Sequence, residues 1–157
     1  MADNPKLSIG DQAPFFELES DDQGTMSLDD FEGERLVLYF YPHDETPGCT
    51  TEACDFRDNL EEFHEKGWNV VGVSPDDLDS HEEFRDKYDL NFPLLADTDH
   101  EVADNYGVWR EKTNFGRTYE GVVRSTFLID ENGEIVDIKD SVRATGHVSR
   151  LLGELED

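Results

Sequence analysis

The stretch that decides the fold reads Leu36-Val37-Leu38-Tyr39-Phe40-Tyr41-Pro42-His43-Asp44-Glu45-Thr46-Pro47-Gly48-Cys49. Its first six residues are apolar without alternation, which predicts a central strand buried on both faces. Pro42 ends that strand. A helix is expected from about residue 47 to 66, because Ala53, Phe56, Leu60 and Phe63 recur at spacings of three and four and mark one buried stripe. Thr46 suits the N-cap, and Pro47 suits the first helical position, where its missing N–H has no partner to lose. Gly67 suits the C-terminal end.

Working outward, residues 70–73 (Val-Val-Gly-Val) predict a second buried strand. Residues 80–88 predict a helix, with Phe84 and Tyr88 four apart on one face. Residues 92–95 form a short strand, which Pro93 confines to a strand start or an edge. A short helix over 100–106 follows. Strands at 125–129 and 134–138 are joined by Glu131-Asn132-Gly133, a tight-turn signal, and make a hairpin. A helix over 147–155 closes the chain. Residues 1–35 are loop-rich, with a short strand at 15–18. This order predicts an α/β fold with a mixed β-sheet flanked by helices, its last two strands antiparallel, which is a thioredoxin-like arrangement with extra elements. No internal repeat or linker interrupts it, so residues 1–157 are expected to form one domain.

The chain carries 39 acidic against 13 basic side chains, a formal charge of −26. Such a field repels nucleic acid phosphates and anionic lipid head groups, which excludes both as expected partners. Basic residues lean to Arg (8 Arg, 5 Lys), and the acids are spread along the whole chain rather than gathered in a tail. At ordinary ionic strength this much like charge destabilises a compact state; in about 1 M salt the Debye length falls to about 3 Å and most of the repulsion is screened. The composition therefore points to a halophilic protein from a cytoplasm of molar salt. The six-residue apolar run is far short of the roughly 20 residues of a membrane span. The first six residues show neither a basic nor an apolar leader segment, so a cytoplasmic location is expected.

Two cysteines are too few for a disulfide framework, and redox activity, metal binding or inert burial remain as their roles. Cys49 falls in the first turn of the expected helix. Unpaired backbone N–H groups and the positive end of the helix dipole surround that position, and both favour a thiolate, the nucleophilic form. Cys49 shares the stripe of Ala53, Phe56 and Leu60 and points inward, whereas Cys54 lies on the flank or back. Helix geometry sets their Cα atoms roughly 8 to 9 Å apart, beyond the roughly 7 Å that a disulfide tolerates. Pairing would require the first turns to unwind. The histidines at 43, 64, 81, 100 and 147 share no spacing, and His43 reads as solvated.

Pro42-x-x-x-Thr46-x-x-Cys49 matches the signature Pro-x-x-x-Thr/Ser-x-x-Cys of peroxiredoxins. The longer run from Tyr39 to Asp58 resembles the bacterioferritin comigratory protein/PrxQ subfamily. So do Gly10-Asp11-Gln12-Ala13-Pro14-Phe15-Phe16, Gly72-Val73-Ser74, Phe92-Pro93-Leu94-Leu95-Ala96-Asp97, Tyr106-Gly107-Val108-Trp109 and Arg124-Ser125-Thr126-Phe127-Leu128-Ile129-Asp130, in one colinear order. The resemblance implies the peroxiredoxin type of thioredoxin-like fold and a thiol-dependent peroxidase without cofactor or metal. It implies Cys49 as the peroxidatic cysteine, which takes an oxygen from hydrogen peroxide or an organic hydroperoxide and becomes a sulfenic acid. Cys54, at the C-x4-C spacing, is implied as the resolving cysteine of an intramolecular disulfide that a thioredoxin-like or other dithiol donor reduces. Thr46 would hydrogen-bond thiolate and peroxide, Pro42 would shape and shield the pocket, and Arg124 would supply a fixed cation, with Glu52 as its partner. A monomer or weak dimer is expected.

Three other classes of protein predict different cysteine patterns. A copper-delivering Sco-like protein would space its cysteines C-x3-C and use a distant histidine such as His147. A thioredoxin-type oxidoreductase would place C-x-x-C at the helix start. An acidic binding module would need neither cysteine.

Overall fold

The computed structural model describes residues 7–21, 24–114 and 116–155. The elements run β1 (Glu17–Ser20), β2 (Gly24–Ser27), a 3-10 turn (Leu28–Phe31), β3 (Arg35–Phe40), α1 (Pro47–Glu65), β4 (Trp68–Ser74), α2 (Leu78–Tyr88) and β5 (Leu94–Ala96). They continue with α3 (Glu101–Asn105), β6 (Trp109–Asn114), β7 (Arg117–Val122), β8 (Ser125–Ile129), β9 (Ile135–Lys139) and α4 (His147–Glu154). The N-terminal residues 1–6, read above for a leader segment, lie outside the described residues. Among the described residues, no helix is long and apolar enough to cross a membrane.

Seven strands form one mixed sheet in the order β2-β1-β5-β4-β3-β8-β9. β3 pairs parallel with β4 and antiparallel with β8, so the apolar run of the sequence sits in the middle of the sheet. Its side chains alternate between two cores. Val37 and Tyr39 pack with the α1 stripe of Cys49, Ala53, Phe56, Leu60 and Phe63, with Phe84 of α2 and with Val148 and Leu151 of α4. Leu36, Leu38 and Phe40 face the opposite cluster, which holds Val102 and Ala103 of α3 together with Tyr106 and Phe127. Every residue of β3 after Arg35 is buried, as a strand covered on both faces requires.

The hairpin of β8 and β9 is antiparallel, as expected, with Gly133 at φ 80° in its turn. The Asp130 carboxylate accepts the Asn132 and Glu134 amides at 2.9 Å, which fixes the loop. Helix α2 begins two residues earlier than expected, because Asp77 caps it and accepts from the Ser80 amide. The first strand lies at Glu17–Ser20 rather than 15–18, where it pairs with both β2 and β5. Two hairpins lie outside the elements expected: β2 completes β1, and β6 with β7 forms a separate two-stranded sheet in a stretch for which the sequence predicts no element.

Candidate active site

The C-terminal end of β3 delivers the chain through Pro42 into α1, whose first turn carries Cys49. Thr46 takes the N-cap position with extended backbone, and Pro47 follows it. Its hydroxyl does not cap the helix, which differs from the cap expected of it; it donates to the His43 carbonyl at 2.9 Å. The turn over residues 43–46 is thereby closed by Thr46 itself, and the oxygen lone pairs of the hydroxyl stay available to accept. Pro42 is half-buried at the mouth of this turn.

Cys49 is 1% exposed and sits on the inner face of α1, whereas Cys54 on the flank is half-exposed; both are free thiols. Arg124, in the short link between β7 and β8, reaches both groups that the helix presents. Its Nη2 donates to Cys49 Sγ at 3.4 Å, and its Nη1 donates to Glu52 Oε1 at 2.6 Å. The backbone of Arg124 is held by the Val142 amide, which donates to its carbonyl at 3.0 Å. Gly48 makes the approach of the guanidinium possible: a Cβ there would stand 3.0 Å from Arg124 Nη2.

Glu52 is fully buried on the same helix face as Cys49, three residues on. Burial pushes its carboxyl up to about 7, against the opposing pull of the Arg124 guanidinium. Its second oxygen has no hydrogen-bond partner among the described residues. Burial also pushes the Cys54 thiol up, with Arg57 opposing and Asp58 and Asp55 adding to the rise, so Cys54 is held as a thiol at neutral pH. The two cysteines thus sit in opposite settings: one beside a guanidinium at a helix start, the other on an acidic flank.

Two features of this region had no signal in the sequence. Lys112 of β6 is half-buried, donates to the Val122 carbonyl at 2.8 Å, and stands within electrostatic reach of Cys49 and Arg124; burial, then Arg124, pulls its ammonium down. Asp44, inside the 43–46 turn, is buried and bonded to His81 of α2. Asp44, Asp76 and His81 bring potential metal-ligand atoms within 4.8 Å of one another. Both ring nitrogens of His81 are already hydrogen-bonded, however, so the cluster is an internal polar network. His43 is solvent-exposed, as read, and its ring bonds Asp76.

With this geometry in hand, the comparisons with known proteins are specific. Residues 9–138 match the AhpC/TSA family model. Peroxiredoxin Bcp of Bacillus subtilis strain 168 is 47% identical over 151 residues, covering 96% of each chain. The structure of a cysteine-to-serine mutant of Xylella fastidiosa PrxQ superposes with a TM-score of 0.91 at 35% identity, covering 97% of each chain. A Xanthomonas campestris bacterioferritin comigratory protein, studied for its alkyl peroxide reduction activity, superposes with a TM-score of 0.87 at 36% identity over 97% of each chain. The chain belongs to the AhpC/TSA family, and within it to the Bcp/PrxQ peroxiredoxins, which makes it a thiol-dependent peroxidase. The copper-delivery, dithiol oxidoreductase and binding-module classes are set aside accordingly.

Proposed function

We propose that Cys49 is the peroxidatic cysteine and Cys54 the resolving one, acting on hydrogen peroxide and alkyl hydroperoxides. The observation that carries this reading is the guanidinium of Arg124, 3.4 Å from Cys49 Sγ in the first turn of α1. A fixed cation and a helix N-terminus stabilise the negative charge that passes from the attacking sulfur to the leaving oxygen. The thiolate attacks the terminal peroxide oxygen, the O–O bond breaks, and the departing alkoxide or hydroxide takes up a proton. Cys49 is left as a sulfenic acid. Thr46, whose hydroxyl donates to the His43 carbonyl and keeps its lone pairs for an incoming donor, accepts from the peroxide, and Pro42 limits water at the sulfenate. Glu52 holds the guanidinium in register.

The Cys54 thiol then displaces water from the sulfenic acid and forms the Cys49–Cys54 disulfide. This needs the first turns of α1 to unwind, since the two thiols lie on different faces of the helix. A thioredoxin-like or other dithiol donor restores both thiols by exchange. The whole chain works as one unit, monomeric or weakly dimeric, in a cytoplasm of high salt; the −26 charge supports that setting. Intact-protein mass after one equivalent of peroxide tests the scheme. The wild type loses two hydrogens. Cys54→Ser stops at the sulfenic or more oxidised acid of Cys49, and Cys49→Ser does not react rapidly. Rapid peroxide turnover by Cys49→Ser refutes the assignment.

A further inference from the structure

His81 is 0% exposed, yet both of its ring nitrogens meet acceptors. Nδ1 lies 2.7 Å from Asp44 Oδ2 and Nε2 lies 2.9 Å from the Leu95 carbonyl. A neutral imidazole has one N–H and would leave one of these acceptors facing a lone pair. The Asp44 oxygens are already acceptors from other groups, since Tyr41 Oη donates to Oδ1 at 2.6 Å and Ser80 Oγ to Oδ2 at 2.8 Å. The partners therefore assign a proton to each ring nitrogen, and the group is a buried imidazolium.

What this cation holds is the loop of the peroxide site. Asp44 lies between Pro42 and Thr46, and its own amide donates to Asp76 Oδ2 at 2.7 Å. Glu45, next in the chain, has φ 63°, a left-handed conformation that a non-glycine residue keeps only when its surroundings enforce it. The enforcing contacts are those of Asp44 on one side and the Thr46 hydroxyl bond to His43 on the other. We propose that His81 is a positioning residue for the peroxidase reaction: its buried imidazolium pins Asp44, and with it the loop that carries Thr46, onto α2 and β5.

The titratable groups that face the ring are Tyr41 at the end of β3, Asp44 in the loop, and Asp76 in the link after β4. Burial lowers the imidazolium's affinity for its proton, but the hydrogen bond and charge of Asp44, the Leu95 carbonyl and Asp76 outweigh it, and the net shift is upward. A raised value means that the contribution is complete below the unfolded histidine range of about 6.5 and is lost as pH rises through the folded value. Because the pair is buried, molar salt screens it little.

The proposal rests on the reading of Cys49 and Thr46 given above, and its test separates the two. First, side-chain nitrogen–proton NMR of the wild type at pH 7 reads the ring directly; two N–H groups on His81 support the lock, and a neutral single-N–H tautomer overturns it whatever Cys49 does. Second, His81→Gln and Asp44→Asn are compared in two reactions of Cys49. Peroxide reduction, which uses Thr46, is expected to slow by about 10- to 100-fold, the range of an ångström-scale misplacement. Alkylation by iodoacetamide, which needs only the thiolate, is expected to change by less than about 3-fold, so that the peroxide loss is selective. The double variant falls no further than either single one if both break the same pin. Equal losses in both reactions, or unchanged peroxide rates, overturn the proposal. If the variants do not fold, the ratio of peroxide to alkylation rate in the wild type decides: it must fall as pH rises through the His81 titration followed by NMR, and a constant ratio overturns the proposal. Failure of the Cys49 assignment is registered separately, by Cys49→Ser.

Discussion

Replacing Glu52 with glutamine isolates one buried carboxyl whose protonation changes near neutral pH. In the folded protein its value is about 7 against 4.5 for an unperturbed glutamate, with burial as the larger cause and Arg124 opposing. Between those values the folded state holds a proton that the unfolded chain has released. Stability therefore falls as pH rises from about 4.5 to about 7, the reverse of the behaviour of an ordinary salt-bridged carboxylate. A gap of about 2.5 units at about 1.4 kcal/mol each amounts to about 3 kcal/mol. Glutamine imitates the protonated form in shape and charge. Any fixed offset between its amide and the acid shifts the variant equally at every pH. The quantity to measure is thus the stability of Glu52→Gln minus that of the wild type, from urea unfolding followed by tryptophan fluorescence at constant KCl. That difference is expected to grow by about 3 kcal/mol between pH 4.5 and 8, with its steepest rise below pH 7. A difference that stays constant across this range, or that shrinks, refutes the account of Glu52 as a desolvated acid beside Arg124.

Burial also lowers His147 to about 4, with Arg150, Arg124 and Lys139 adding to the effect, so the stability of the wild type minus that of His147→Gln should fall by up to about 3 kcal/mol between pH 6.5 and 4 in the same urea series. Gly48→Ala places a methyl 3.0 Å from Arg124 Nη2; stopped-flow peroxide reduction should slow by about 10-fold as the guanidinium moves off Cys49, while the melting temperature changes little. Gly72→Ala sets a Cβ 2.9 Å from the Tyr39 ring in the middle of the sheet and should destabilise the protein by about 1–3 kcal/mol in urea unfolding. Thermal melts across a KCl series should rise steadily toward molar salt, and equal stability in dilute buffer would contradict the screening argument for the −26 charge.

The parts of this molecule that were legible in the sequence are those where burial writes a pattern. β3 is an unbroken apolar run because both its faces are covered, and α1 shows a three-and-four stripe because one face is covered. Cys49, Arg124 and Glu52 were named by resemblance, and the structure places them within one chain of contacts. The β6–β7 hairpin left no such mark. Its residues are Trp-Arg-Glu-Lys-Thr-Asn and Arg-Thr-Tyr-Glu-Gly-Val, many of them exposed and, among the described residues, paired as strands with each other alone, so neither alternation nor an apolar run announces it. Lys112 was hidden with it. The bond between Asp44 and His81 spans 37 residues, and only the folding of α2 against β5 brings the two together. Thr46 marks the helix start in sequence and structure alike, but its hydroxyl bonds His43 rather than the helix, because residue type fixes a helix start more firmly than the direction in which a hydroxyl points.

The two thiols on different faces of α1 also set an electrochemical property. On the roles proposed for them, the disulfide exists only where the first helical turns have come apart, and those turns bury Cys49, Glu52 and Ala53 in the reduced protein. Whatever free energy the intact turns contribute belongs to the dithiol form alone. Each 1.4 kcal/mol of it raises the reduction potential of the Cys49–Cys54 couple by about 30 mV. Helix propensity and packing in one turn thereby act as the adjustment of an oxidant: substitutions that strengthen the start of α1 would make the oxidised enzyme easier to recycle and slower to form.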